Sequence, residues 1–496
     1  MDQHNHIARL MTCGGDARIT IDPASGANRY MSTPYPRRLI AYASSTANDI
    51  SADAFAHVTR RAQVMAPDGE WTPALYGEAL DGLRARLRTA YALPGDVGIA
   101  FAPSGTDLEY IALAANTGAG GVHNLLLGAD EVGSGCIHSA NGAYFAKETA
   151  LDAATVPGAP VAGLGPVTLA QIPVRDDLGR AQDSCAIAMG IRRQAEDALA
   201  KGMTPLIHIV HGSKTGLVLP ELQEVDALID QYGDTIRFVV DACQARITTK
   251  AINAYLERGI IVFLTGSKFM GGPPFSGMAL IPPAAMDRAA PLAQGLAQIF
   301  RRAELPAAWP GREILPDSAN AGLLLRLEAS IFELERFQAL PIPRVMRVID
   351  AFQQAVGKLT TRLLARQVDT RFTGIHAWQR IMPLEMQTLV TLDIGNCLGR
   401  PDFDAATGIH KALAAQGIRL GQPVRSVRTG FGAGAGGWAG TLRIGLSMPQ
   451  IVGLDQLGDD CLGDDALAAH FAQDMTAIGD ALTIALLERT RQSLPA

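Results

Sequence analysis

The stretch Ile260-Ile261-Val262-Phe263-Leu264-Thr265-Gly266-Ser267-Lys268-Phe269-Met270-Gly271-Gly272-Pro273-Pro274 decides the reading of this chain. It opens as a short apolar, β-branched run, the pattern of a strand buried on both faces. It then breaks into a glycine-rich turn that carries one lysine. Burial at the end of such a strand lowers a lysine's pKa and frees its amine for nucleophilic work, Schiff-base formation included. The plain alternative is a solvated turn lysine, or one paired with an acid, so the rest of the chain has to decide.

Working outward, similar runs occur at Val97–Ala102, Asn124–Gly128, Leu206–Val210, Ile236–Val240 and Met278–Ile281. Helical patterns lie between several of them, at Asp107–Asn116, Cys185–Ala200 and Glu221–Tyr232. Strands alternating with helices imply an α/β fold with a mostly parallel sheet covered on both faces. Ligands in such folds collect at the carboxyl ends of the strands. A chain of 496 residues exceeds one core. The expected division is an N-terminal segment (1–70), a large domain (71–300), and a linker helix with a smaller C-terminal domain (301–496).

Composition excludes several classes. Hydrophobic residues make up 48% and charged residues 19%, as in a globular protein. The formal charge of -6, with no block of Lys or Arg, offers nothing to nucleic acid or an anionic membrane. No apolar run reaches the length of a membrane span, and residues 1–10 lack the apolar core of a signal peptide. Six scattered cysteines (13, 136, 185, 243, 397 and 461) include no CxxC pair, so neither a disulfide framework nor a metal site is expected, and a reducing cytoplasm fits.

Polar residues cluster where the strands end. Pro103-Ser104-Gly105-Thr106-Asp107 follows one run and starts a helix. Hydroxyls and free N–H groups there suit an anion, or simply cap the helix. Val240-Asp241-Ala242-Cys243-Gln244 closes another run. A buried aspartate there calls for a cationic partner, unless it caps the next helix. In the opening stretch, Thr265 and Ser267 add hydroxyls beside Lys268.

The order of these motifs resembles fold-type I enzymes dependent on pyridoxal 5′-phosphate (PLP). Within them it is most similar to the class V aminotransferase family, which also holds cysteine desulfurases. Asp241-Ala242-Cys243-Gln244 resembles the family's Asp-x-x-Gln motif, and Thr265-Gly266-Ser267-Lys268 its Ser-x-x-Lys motif. Ser104-Gly105-Thr106 matches its phosphate-binding Ser-Gly-Thr. The resemblance implies a seven-stranded, mostly parallel sheet in the large domain, with a smaller α+β domain. It implies that Lys268 carries the cofactor, that Asp241 pairs with the pyridine nitrogen, and that Gln244 bonds the phenolic oxygen. Ser104, Gly105, Thr106, Thr265 and Ser267 become the phosphate cup.

The resemblance extends to further positions. His138 falls where the family stacks a ring on the cofactor. Ser213, in His211-Gly212-Ser213-Lys214-Thr215-Gly216, stands where the family commonly has Asn. Arg443, in Thr441-Leu442-Arg443-Ile444-Gly445-Leu446-Ser447, resembles the arginine that grips a substrate carboxylate, a task suited to a forked guanidinium. Ser45 falls at the substrate entrance. Ser276 falls in a turn that approaches the phosphate of the neighbouring subunit, which implies a homodimer with shared sites.

Taken together, this implies an enzyme acting at Cα of an amino acid. Aminotransfer needs no part beyond those named, whereas a lyase or a β/γ-substitution enzyme is the rival. The family's desulfurases carry a cysteine shortly before the arginine, and residues 418–428 contain none. Arg419, Arg425 and Arg428 in that segment suit a second anionic group or a solvated loop. Gly430–Gly440 suits a lid with Trp438 as its cover, or a connector. A non-catalytic PLP-binding regulator would carry a DNA-binding module, and the first ~95 residues show none.

Overall fold

The computed structural model describes residues 3–118, 120–133, 135–176, 179–368, 384–429, 436–457 and 463–493. Residues 430–435 of the glycine-rich stretch and Cys461 lie outside these.

Thirteen strands form among the described residues: β1 (Ile40–Tyr42), β2 (Gly98–Ala102), β3 (Val122–Leu127), β4 (Val167–Ile172), β5 (Thr204–His211), β6 (Val218–Leu219), β7 (Arg237–Asp241), β8 (Ile261–Thr265), β9 (Gly277–Ile281), β10 (Arg366–Gln367), β11 (Leu389–Asp393), β12 (Ile418–Leu420) and β13 (Thr441–Gly445). The large sheet runs β2-β9-β8-β7-β5-β3-β4, with the two-residue β6 pairing β5. The pairings β4–β3, β3–β5, β5–β7 and β7–β8 are parallel. On β8, Ile261 and Phe263 enter one core while Val262 and Leu264 enter the other. A strand alternates its side chains between faces, so an unbroken apolar run is what a doubly covered sheet requires.

Two features depart from the sequence expectation. β9 is antiparallel to both β8 and β2, because residues 266–276 form a turn with no crossover helix, and a parallel return needs one. β4 adds a seventh strand to the path that its apolar content did not announce. It sits at the sheet edge, and its Thr168 and Gln171 face outward.

A separate antiparallel sheet runs β10-β11-β13. The N-terminal segment meets this part of the chain, since β1 pairs in parallel with β12 and Ala43 bridges Gly445. The helix Ala321–Gln338 follows the large sheet in the chain. It is buried along nearly its whole length and packs on helices Ala52–Met65 and Pro73–Ala90. The helix Ile342–Leu363 packs on Gly463–Ser493. No described helix is long and apolar enough to cross a membrane.

Candidate active site

The carboxyl ends of β2, β5, β7 and β8 open on one cleft of about 340 Å³, within the range of small-molecule sites. Ser104, Gly105, Thr106, Ser213, Asp241, Gln244, Thr265, Ser267 and Lys268 line it, as do Ser45 from the N-terminal segment and Arg443 from β13. Eleven of the thirteen residues that the motif resemblance placed in the site therefore meet in one place.

Lys268 enters from the turn after β8. Its Nζ donates to the carbonyl of Thr46 at 3.1 Å and lies 3.5 Å from that of Ser45. Burial lowers its pKa to about 8, with help from the positive charges of Arg443 and Lys214. Asn48 holds the turn by donating to the carbonyls of Ser267 and Lys268. Asp241 ends β7 and accepts from the backbone N–H of Cys243 at 2.9 Å. Gln244 donates to Ser45 O at 3.1 Å and accepts from Arg246 at 2.8 Å.

The Ser104–Thr106 turn precedes the helix Leu108–Asn116. Gly105 is required by close approach, since a Cβ there would stand 2.9 Å from Thr265 Cγ2. Thr265 donates to Cys243 O and accepts from Ser267. Ser104 donates to Asp107, whose carboxyl burial pushes up to about 7.

Arg443 is buried, and burial lowers its pKa to about 10. Its donors go to Gln422 O, Ser45 O, Lys214 O and Thr46 Oγ1. Among the described residues no carboxylate lies within ion-pair distance of it. A guanidinium held by carbonyl and hydroxyl oxygens keeps its charge available to an incoming carboxylate.

Two residues sit differently from the expectation. His138 is exposed on the short helix Cys136–Ala140 and does not line the cleft. Val132 and Cys136 line it instead, because the turn of that helix points Cys136 inward. Ser276 is buried behind the Lys268 turn, and its hydroxyl donates to Pro273 O within the same chain. Its neighbours Pro274 and Phe275 line the cleft. Ser213 is in place, but its hydroxyl is committed to Glu131 at 2.8 Å. Burial disfavours the charge of Glu131, yet Arg175 at 2.8 Å and the hydroxyls of Ser213 and Thr215 hold its carboxyl below the ordinary range.

The arginines of residues 418–428 do not line the cleft. Arg419 is buried against Asp49, Arg425 lies over the Phe403 ring, and Arg428 lies over Trp438. Trp438 thus covers an arginine and not the cleft. Gln422, Pro423 and Val424 are the residues of this segment that reach it. Sequence reading missed Arg18, Tyr30 and Lys214 as lining residues, whereas Thr46 lies beside Ser45 in the stretch expected at the substrate entrance. Lys214 alone carried a signal, as a cation directly after Ser213. Arg18 and Tyr30 lie in a segment without periodicity.

No protein-family model matches the chain, and no curated protein matches it in sequence. Solved structures do match. A NifS-like protein superposes with a TM-score of 0.54 at 11% identity, over 90% of this chain and 100% of that one. A C-DES mutant with glycine covalently linked to its PLP cofactor gives 0.53 at 15%, over 88% and 96%. The cysteine desulfurase CsdA of Escherichia coli gives 0.52 at 14%, over 90% and 94%. At these identities the likeness is one of fold, and the chain has the fold-type I architecture.

Proposed function

We propose that this protein binds pyridoxal 5′-phosphate through Lys268 and acts at Cα of an amino acid, with aminotransfer as its reaction. One observation carries the proposal. A desolvated lysine, an aspartate and a hydroxyl-lined helix start, from three separate strand ends, share a cleft with an arginine from β13 of the second sheet that has no carboxylate within ion-pair distance among the described residues.

The residues present fit the cofactor. Gly105 and Thr265 line the same cleft, and a Cβ on Gly105 would meet Thr265 Cγ2 at 2.9 Å, so the Ser104–Thr106 turn and Thr265 stand close enough together to serve one group. Ser45 Oγ is buried and has no hydrogen-bond partner among the described residues. Lys268 would hold the aldehyde, Asp241 the ring nitrogen, and Ser104, Thr106, Thr265 and Ser267 the phosphate. Bound there, the cofactor supplies an electron sink for the bonds at Cα.

The chain's own residues do the rest. Lys268, with its amine brought near neutrality, is suited to take and return a proton at Cα. Asp241 is the carboxylate placed to hold a proton on the ring nitrogen. Arg443 orients the substrate carboxylate, replacing its bonds to the Ser45 carbonyl and Thr46 hydroxyl with two parallel bonds to the ligand. Ser45 and Thr46 of the N-terminal segment wall the cleft on that side and help to keep water from it. By the motif resemblance, the active species is a homodimer with shared sites, and the scattered cysteines favour a reducing cytoplasm.

Spectral titration of the PLP-loaded protein with a panel of amino acids tests this. Conversion of the bound aldehyde to the amine form, with release of a 2-oxo acid, is the expected outcome. Release of a side-chain fragment with the aldehyde retained identifies a lyase or substitution enzyme instead. Failure of Lys268 to take up the aldehyde overturns the proposal.

A further inference from the structure

The N-terminal arm places a cation over the cup. Asp16 caps the single turn Ala17–Ile19 and holds Arg18 by Nε at 2.8 Å and Nη2 at 2.7 Å. The Arg18 guanidinium lies 4.9 Å from the ring centre of Phe145 and 4.8 Å from that of Phe275. Between these rings its forward edge faces the cup, with Nη2 3.3 Å from Ser104 Oγ and Nη1 3.4 Å from Thr106 Oγ1. Both distances are at the long end of hydrogen bonding, so neither hydroxyl is a close partner.

The position is built rather than incidental. Arg326, fully buried on the helix Ala321–Gln338, donates to Met11 O, Cys13 O and Gly14 O of the arm and to Phe275 O of the Lys268 turn. It therefore fixes the arm and one of the two rings from a single point. Gly15 fits only because it lacks a side chain, since a Cβ there would stand 2.7 Å from Phe275. The acidic groups nearby are already engaged, Asp16 by Arg18 and Asp107 by the Ser104 hydroxyl. Tyr30 lines the cleft beside them.

We propose that Arg18 is a ligand of the cofactor's phosphate, and that it gives the site its preference for the phosphorylated aldehyde over unphosphorylated pyridoxal. A guanidinium backed by a carboxylate and packed between rings is oriented in advance, and its fork matches two phosphate oxygens. The inference rests on the reading of Lys268 as the aldehyde-binding residue, and adds a binding residue drawn from far outside the motifs.

Cofactor-free protein is titrated with PLP and, separately, with pyridoxal, following the visible absorbance of the lysine adduct. For Arg18→Gln, the PLP Kd is expected to rise about 10- to 100-fold, the loss typical of a charge-assisted hydrogen bond. The pyridoxal Kd is expected to stay within about twofold. Arg18→Lys keeps the charge without the fork and restores part of the PLP affinity. As an independent readout, inorganic phosphate raises the Tm of the wild type and not of Arg18→Gln. Equal losses for both aldehydes would mean that Arg18 only holds the arm, and no loss for PLP would mean that it does not touch the phosphate. Either result overturns the proposal. If the wild type captures neither aldehyde, the reading of Lys268 fails instead, and the phosphate-dependent Tm shift still decides whether Arg18 binds this anion. If Arg18→Gln does not fold, Arg18→Lys decides, because only phosphate recognition weakens PLP while sparing pyridoxal.

Discussion

Lys268 should capture aldehydes with a pH midpoint near 8. Its amine is brought there mainly by burial, and further by Arg443 and Lys214. At pH 7 about one amine in ten is then neutral, against roughly one in 3,000 for an ordinary lysine. The supply of nucleophile rises on the order of 300-fold. The assay is the rate at which cofactor-free protein takes up pyridoxal between pH 6 and 10.5, with Lys268→Ala as the blank. Pyridoxal is the probe because it has no phosphate to titrate. Arg443→Gln should move the midpoint upward, since it removes the second cause and leaves burial in place. The same shift appears in stability. The folded pKa lies below the unfolded one, so between about 8 and 10.5 the unfolded chain binds more protons and stability rises with pH. Lys268→Met should flatten that rise. A capture midpoint at 10 or above, or uptake undiminished in Lys268→Ala, would refute the reasoning.

Two further substitutions test how the site is held. Gly266→Ala brings a Cβ to 2.1 Å from Ser330 Oγ and 2.9 Å from Ser276 Oγ. Overpacking of this kind costs about 1–3 kcal/mol, so Tm should fall, and an unchanged Tm would show that the turn has slack. Arg326→Met strips the carbonyls of Met11, Cys13, Gly14 and Phe275 of their donor. Limited proteolysis between residues 11 and 18 should quicken roughly tenfold, as expected when buried acceptors lose their partner. A cleavage rate equal to that of the wild type would mean that the arm is held by other contacts.

The sequence by itself determined the sheet and the place of the chemistry. Apolar β-branched runs such as Ile261–Leu264 have no stable home except a doubly covered sheet, and the polar groups that end them must then gather at one edge. That is why Lys268, Asp241 and Ser104 were legible together. Tertiary structure decided what depends on rotation and on distant partners. Whether the short helix at 136–140 shows His138 or Cys136 to the cleft depends on how it packs, and no local pattern records it. Ser276 faces inward because the turn from Gly266 to Gly277 closes on itself and reverses the next strand. Arg18 reaches Ser104 across 86 positions only because Arg326 pins the arm to a buried helix. Local periodicity encodes burial, while the meeting of segments far apart in the chain is settled by packing and by where buried carbonyls find their donors.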